Sequence, residues 1–211
     1  MIKTILFDLD GTLIDSPPLI LEGLKQTFNK FLPHIDFENI DQSDLVGHPI
    51  YRTLETYNYP SDEVAGFIQY YRDLTESWMD EKLKAYPNAY ETLKNLKNKN
   101  IKIGVVTSKH REVARRHLKI TNLAEFIDFI VGYEDTKNHK PDPDPLLKGA
   151  ELAKSKINET VYVGDHENDI FAAKNANMRS CAVLFSKRET QLIEANPTFK
   201  VKNLIEILDF I

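Results

Sequence analysis

The chain has 211 residues, 42% of them apolar and 10% aromatic, which is enough to bury one substantial core and too apolar for a disordered chain. Lys and Arg number 27 against 32 Asp and Glu, a net charge of −5, so no strong positive field favours nucleic acid or an anionic membrane and any anionic ligand must be held locally. The single cysteine, Cys181, excludes an intrachain disulfide, no apolar run approaches the ~20 residues of a membrane span, and Asp8 comes too early for a signal peptide, so a soluble cytoplasmic protein is expected.

Ile2 to Phe7 is nearly continuous in apolar, β-rich residues, the pattern of a strand buried on both faces of a parallel sheet, and it stops at Asp8. From about Ser16 to Ala85 only helical periodicities follow: Ile20, Leu24, Phe28 and Phe31 in one helix, then Val64, Phe67, Ile68, Tyr71, Leu74 and Trp78 in another. Ser16 before Pro17, and Ser61 before Asp62 and Glu63, read as N-caps, and the aromatic stripe, Trp78 included, reads as the segment's own core. A helix through Ala89, Leu93 and Leu96 leads to a strand over Ile101 to Val106, closed by Thr107 and Ser108. A helical stretch from Arg111, a short strand from Phe126 to Val131, a helix through Leu146, Leu147, Ala150 and Ala153, a strand from Thr160 to Val163 and another from Ser180 to Phe185 complete the pattern. Strand alternating with helix predicts an α/β fold, a doubly wound parallel sheet with an all-helical insert: core 1–15 and 86–211, insert 16–85.

Ligands in open α/β sheets bind beyond the carboxyl ends of the strands, where the residues closing each apolar run converge. Asp8 and Asp10 lie two apart at a strand end, and two carboxylates in one cleft repel unless a small hard cation such as Mg²⁺ neutralises them, with Asp165 as a third carboxylate. Gly11 permits a turn that brings backbone amides near a ligand, Thr12 adds a hydroxyl, and Thr107 and Ser108 precede a helix whose start favours an anion. Lys140, in a proline-restrained Lys-Pro-Asp-Pro-Asp-Pro run, offers a fixed ammonium. Each feature also has a plain explanation: a strand-ending turn, an N-cap, a surface lysine, or a helix start at Asp165 and Asp169. What favours chemistry is that all fall at the same edge of the same sheet.

Asp8-Leu9-Asp10-Gly11-Thr12-Leu13, Val106-Thr107-Ser108, Lys140-Pro141 and Gly164-Asp165 through Asp169 resemble the four motifs of the haloacid dehalogenase superfamily over essentially the whole chain, and the insert resembles its helical cap of the first type. Lys137 to Pro145, the Val163-Gly164-Asp165 segment, and Asn196-Pro197-Thr198 through Leu208 look most like the phosphoglycolate phosphatase and cytosolic pyrophosphatase branch. The resemblance implies that Asp8 is a nucleophile forming an aspartyl phosphate and Asp10 the acid and base. It also implies Mg²⁺ on the Asp8 carboxylate, the Asp10 carbonyl and Asp165, supported by Asp169, with Thr107, Ser108 and Lys140 on the phosphoryl oxygens.

The leading expectation is a phosphatase for a small phosphorylated metabolite or pyrophosphate. A β-phosphoglucomutase-type mutase shares the motifs but carries a histidine where this chain has Ile20 in the first cap helix. A phosphorylation-receiving signalling domain shares the acidic pocket but needs no insert of ~70 residues. Within the insert, His48 and Arg52 stand in a turn-like segment as candidate substrate contacts, with a solvated loop as the alternative. His139 and His166 have no zinc-like spacing, and Cys181 reads as a buried apolar residue.

Overall fold

The computed structural model describes residues 1–46 and 50–211. The chain divides into two compact units, Met1–Asp15 with Lys84–Ile211, and Ser16–Leu83. In chain order the elements are β1 (Thr4–Phe7), α1 (Pro17–Phe31), α2 (Ile50–Thr56), α3 (Val64–Lys82), α4 (Ala89–Asn98), β2 (Lys102–Val106), α5 (Arg111–Ile120) and β3 (Phe129–Val131). They continue with α6 (Asp144–Ala153), β4 (Thr160–Gly164), α7 (Glu167–Asn175), β5 (Arg179–Val183), α8 (Glu189–Glu194), β6 (Phe199–Val201) and a closing 3₁₀ segment, Leu204–Phe210.

The first unit holds a six-stranded sheet in the order β3-β2-β1-β4-β5-β6, with every neighbouring pair parallel. β1 is central and buried along its whole length, which is why its sequence is apolar without alternation. The chain builds outward from β1 through β2 and β3, then returns to β4 on the other side and builds outward again. The carboxyl ends of β1 and β4 therefore form the switch point, where the following loops diverge and leave a crevice. One face of the sheet packs Leu6, Val106, Val131 and Tyr162 against Leu146 and Ala150 of α6 and Ala172 and Ala173 of α7, the alanines letting the helices lie close. Each fully buried Leu or Val there contributes roughly 1.5–3 kcal/mol.

The strands differ from expectation in places, β5 covering Arg179–Val183 against the expected Ser180 to Phe185. Phe126 lies in a 3₁₀ turn, and Asp128, whose Oδ2 accepts the Ile103 amide at 2.8 Å, occupies the edge of β2 before β3 begins at Phe129. β6, a three-residue strand on β5, has no counterpart in the expected pattern, because three residues carry no readable alternation.

The helical unit is organised around Phe28, fully buried, with the rings of Phe37, Tyr57 and Phe67 edge-on at 5.3, 5.4 and 5.8 Å. Trp78, expected in this core, is only half-buried, with the Lys82 ammonium 5.8 Å from its ring. The buried residues of α3 are Phe67, Thr75 and Met79 instead. A Cβ on Gly23 of α1 would lie 2.2 Å from the Thr75 γ-methyl, so α3 lays this side chain directly on the α1 backbone. Ser16 occupies the N-cap of α1 in a helical backbone conformation (φ −90°, ψ −22°) without a side-chain capping bond, the Leu19 amide donating to its carbonyl at 3.0 Å instead. α3 starts later than Ser61 suggested, with Glu63 at its N-cap. Among the described residues, no helix is long and apolar enough to cross a membrane.

Candidate active site

The sheet delivers Asp8 directly: its amide continues the ladder to the Val163 carbonyl at 2.8 Å, and its side chain is buried. The chain then turns tightly, with the Leu9 carbonyl accepting the amides of Leu13 and Ile14, while the Gly11 amide donates to the Ile14 carbonyl at 3.0 Å. Gly11 is required here twice over, by its φ of +83° and because a Cβ would sit 2.2 Å from Asp165 Oδ2. Thr12 Oγ1 donates to Asp165 Oδ1 at 2.8 Å, which joins the turn after β1 to the turn after β4.

Lys140 reaches this cluster from the loop before α6 and is itself buried. Its Nζ donates to Asp8 Oδ1 at 2.7 Å, to Asp169 Oδ1 at 2.7 Å and to the Tyr162 hydroxyl at 2.9 Å. Tyr162 donates its own proton to the Val106 carbonyl at 2.8 Å, so ammonium and phenol are fixed together. Asp169 sits in the first turn of α7, and its Oδ2 accepts the His166 amide at 3.0 Å, the reciprocal bond of a capping box.

Thr107 follows β2, buried, its amide on the Val131 carbonyl and its Oγ1 accepting the Lys109 amide at 3.2 Å. α5 begins only at Arg111 with His110 at its N-cap, so Thr107 and half-buried Ser108 stand before its first turn instead of within it. Lys109 Nζ donates to Asp10 Oδ1 at 2.7 Å and lies 3.3 Å from His117 Nδ1. The structure thus gathers Asp8, Asp165, Asp169, Lys140 and Thr12 into one bonded cluster, with Asp10 and Thr107 tied to Lys109 beside it. Arg52 is exposed on α2, a helix and not a turn, and His48 lies outside the described residues.

Burial pushes the Asp8 carboxyl up to about 7, with Lys140 acting against the shift and Asp169 and Asp10 reinforcing it. Burial and the carboxylates of Asp8 and Asp169 hold Asp165 well above the usual range. Burial opposes the charge of Lys140, but Asp169 and Asp8 outweigh it and raise its pKa. Oxygen atoms of Asp8, Asp165 and Asp169 lie within 4.8 Å of one another. All-oxygen donors, an excess of negative charge and no soft ligand fit a hard divalent cation such as Mg²⁺.

Two residues of the site escape the sequence reading. Tyr162 leaves a signal, since a phenol in the middle of a buried strand needs a hydrogen-bond partner. Lys109 leaves none, because an exposed lysine beside a Thr-Ser pair looks the same. Cys181 is buried as expected, and burial pushes its thiol up to about 12, away from the thiolate form.

The sequence profile of the haloacid dehalogenase-like hydrolase family matches residues 5–183. The pyrophosphatase PpaX of Bacillus cereus is 33% identical over 98% of this chain and 95% of its own length. A crystal structure named a predicted phosphatase, from Clostridium acetobutylicum, superposes with a TM-score of 0.84 at 28% identity, covering 100% of this chain and 98% of its own. One named a predicted phosphoglycolate phosphatase, from Haemophilus somnus, shares the fold with a TM-score of 0.83 at 21% identity over 99% and 97% of the two chains. With the profile spanning most of the sequence, the chain belongs to the haloacid dehalogenase-like hydrolase family.

Proposed function

We propose that this hydrolase releases phosphate from pyrophosphate or a small phosphorylated metabolite of the phosphoglycolate type, through an aspartyl phosphate on Asp8. It is a phosphatase of its family, and the observation that carries the finer reading is Asp8 itself: buried, bonded to Lys140 and facing two further carboxylates. Asp8 attacks phosphorus, the bond to the leaving oxygen breaks, and Asp10 gives that oxygen its proton. Asp10 then takes a proton from water, the water oxygen attacks phosphorus, and the bond to Asp8 breaks to release phosphate. Lys140 balances charge at the nucleophile, and Thr107 and Ser108 hold phosphoryl oxygens. The residues that would hold Mg²⁺ are Asp8, Asp165 and the Asp10 carbonyl, with Asp169 in support; the ion would supply positive charge against the phosphoryl group. The pyrophosphatase PpaX relatives support pyrophosphate as a substrate. The helical unit is proposed to act as the cap that narrows substrate choice, with Arg52 as its candidate residue, in a cytoplasmic enzyme that needs no nucleic acid or membrane.

The test is phosphate release from pyrophosphate, phosphoglycolate, sugar phosphates and nucleotides with Mg²⁺ and with chelator, alongside folded Asp8→Asn. Turnover that Asp8→Asn abolishes, by roughly 10⁴-fold or more, is expected. Substantial turnover in the folded variant refutes the nucleophile, and isomerised sugar phosphate without phosphate release would make the protein a mutase.

A further inference from the structure

We propose that Lys109 is a specificity-determining residue whose ammonium meets the negative charge of the leaving group, so that the enzyme prefers pyrophosphate or phosphorylated carboxylates to neutral phosphate esters. The inference rests on the phosphatase reading above, with Asp10 as the proton carrier, and adds the class of leaving group it accepts. Asp10 must hydrogen-bond the departing oxygen, so the leaving group stands beside that carboxyl. Lys109 Nζ is 2.7 Å from Asp10 Oδ1 and therefore beside the leaving group as well.

The placement of Lys109 is built, not incidental. Its amide donates to Thr107 Oγ1 at 3.2 Å and its carbonyl accepts the Tyr133 amide at 2.9 Å, so the backbone is pinned on both sides. Buried His117 of α5 stands 3.3 Å behind the ammonium. The two lysines divide the work by depth. Lys140, with a side chain 4% exposed, is committed to Asp8, Asp169 and Tyr162 around the nucleophile. Lys109, with a side chain 16% exposed, lies nearer solvent. Four carboxyl groups, Asp8, Asp10, Asp165 and Asp169, face two ammonium groups, and a divalent cation would bring that cluster close to balance. Of the two, Lys109 is bonded to Asp10 and not to the nucleophile, and a partly desolvated ammonium at this depth attracts a charged substrate tail far more strongly than one in water.

The experiment compares wild type, Lys109→Met and Lys109→Arg on pyrophosphate, phosphoglycolate and ethyl phosphate. Ethyl phosphate needs the Asp10 proton as much as phosphoglycolate does but brings no second charge. Losing one charge-assisted bond predicts that Lys109→Met lowers kcat/KM about 100-fold on the two charged-tail substrates. The fall on ethyl phosphate should be only about 5-fold, the share owed to holding Asp10. Lys109→Arg should recover most of the charged-tail loss, and thermal melts check that all three proteins are folded. An equal fall on all three substrates would reduce Lys109 to a positioning residue for Asp10 and overturn the proposal, as would no fall on any. A wild-type enzyme that releases phosphate from none of them breaks the phosphatase reading before any variant is made.

Discussion

The two units bury different kinds of polar group. In the helical unit the buried polar residues are hydroxyls alone among the described residues: Ser16, Thr27, Thr53 and Thr75. In the sheet unit Asp8, Lys140, Asp169 and Arg188 are buried, together with His117 and His166. A threonine on α1 or α3 satisfies itself inside its own helix, as Thr27 Oγ1 does on the Gly23 carbonyl at 2.7 Å and Thr75 Oγ1 on the Tyr71 carbonyl at 2.8 Å. A buried charge has no such local remedy and needs partners brought from elsewhere, at a desolvation cost of several kcal/mol per ion. Lys140 draws them from three separate places: Asp8 at the end of β1, Tyr162 within β4 and Asp169 in the first turn of α7. Arg188 lies similarly, its Nε on Glu167 Oε2 at 2.7 Å and its Nη2 on Glu167 Oε1. Among the described residues, buried charge thus sits where strand ends and the loops that follow them converge, the place proposed for the chemistry.

Phe28→Ala removes the ring on which Phe37, Tyr57 and Phe67 pack, and should cost about 3–5 kcal/mol of stability. Urea unfolding measures it. If the unit is held by apolar packing, that loss should be the same at pH 5 and pH 8 and with or without Mg²⁺. A loss that varied with pH or metal would show that charge reaches this core.

The sheet unit should behave in the opposite way. Asp8 in the folded chain gives up its proton near pH 7 instead of 3.8, so between those values the fold binds more protons than the unfolded chain does. Stability from this group is therefore fully present below pH ~4 and lost as pH rises through about 7, and Asp165 shifts in the same direction. In chelator the protein should lose on the order of a few kcal/mol between pH 5 and pH 8, and Mg²⁺ should restore more at pH 8 than at pH 5. Calorimetric melts at both pH values settle it: a melting temperature indifferent to Mg²⁺ at pH 8 would remove the cation from the cluster.

The same contrast explains what is legible in the sequence. The sheet and its site can be read because Asp8, Thr107 and Asp165 each follow the end of an apolar run, and parallel strands place their carboxyl ends together without further information. The switch-point rule then brings Asp8 and Asp165 to one crevice. In the helical unit the periodicities give the helices, but which α3 residues are buried depends on how it packs on α1, as where Gly23 meets Thr75, a contact between two helices that no single helix pattern contains. Lys109 is illegible for the same kind of reason: its partners Asp10 and His117 come from other elements, and a lysine just past a strand looks like a solvated one. Arg52 reads as lying in a turn because Gly47 and Pro49 punctuate that stretch, yet α2 begins directly after them.

The smallest expected effect is the most local one. Tyr162→Phe deletes a single oxygen that accepts from Lys140 at 2.9 Å and donates to the Val106 carbonyl at 2.8 Å, leaving the ring in the apolar cluster of α6 and α7. Lys140 keeps its bonds to Asp8 and Asp169, so the charge balance survives and the fold should lose only about 1–2 kcal/mol. What the ammonium loses is its third anchor. With the phenol present, Lys140 has a fixed direction between two carboxylates; without it, the ammonium is free to swing towards Asp169 and away from the nucleophile. Because that misplacement acts on the group facing the reacting carboxylate, kcat should fall about 10-fold while KM changes little. The phenol helps only because an ammonium of the right shape meets it, so Lys140→Arg should lower kcat even with Tyr162 intact, its planar fork being the wrong shape for three converging oxygens. Steady-state kinetics beside urea unfolding separates the possibilities: a stability loss without a change in kcat would make Tyr162 a packing residue, and a change in KM alone would place it with substrate binding.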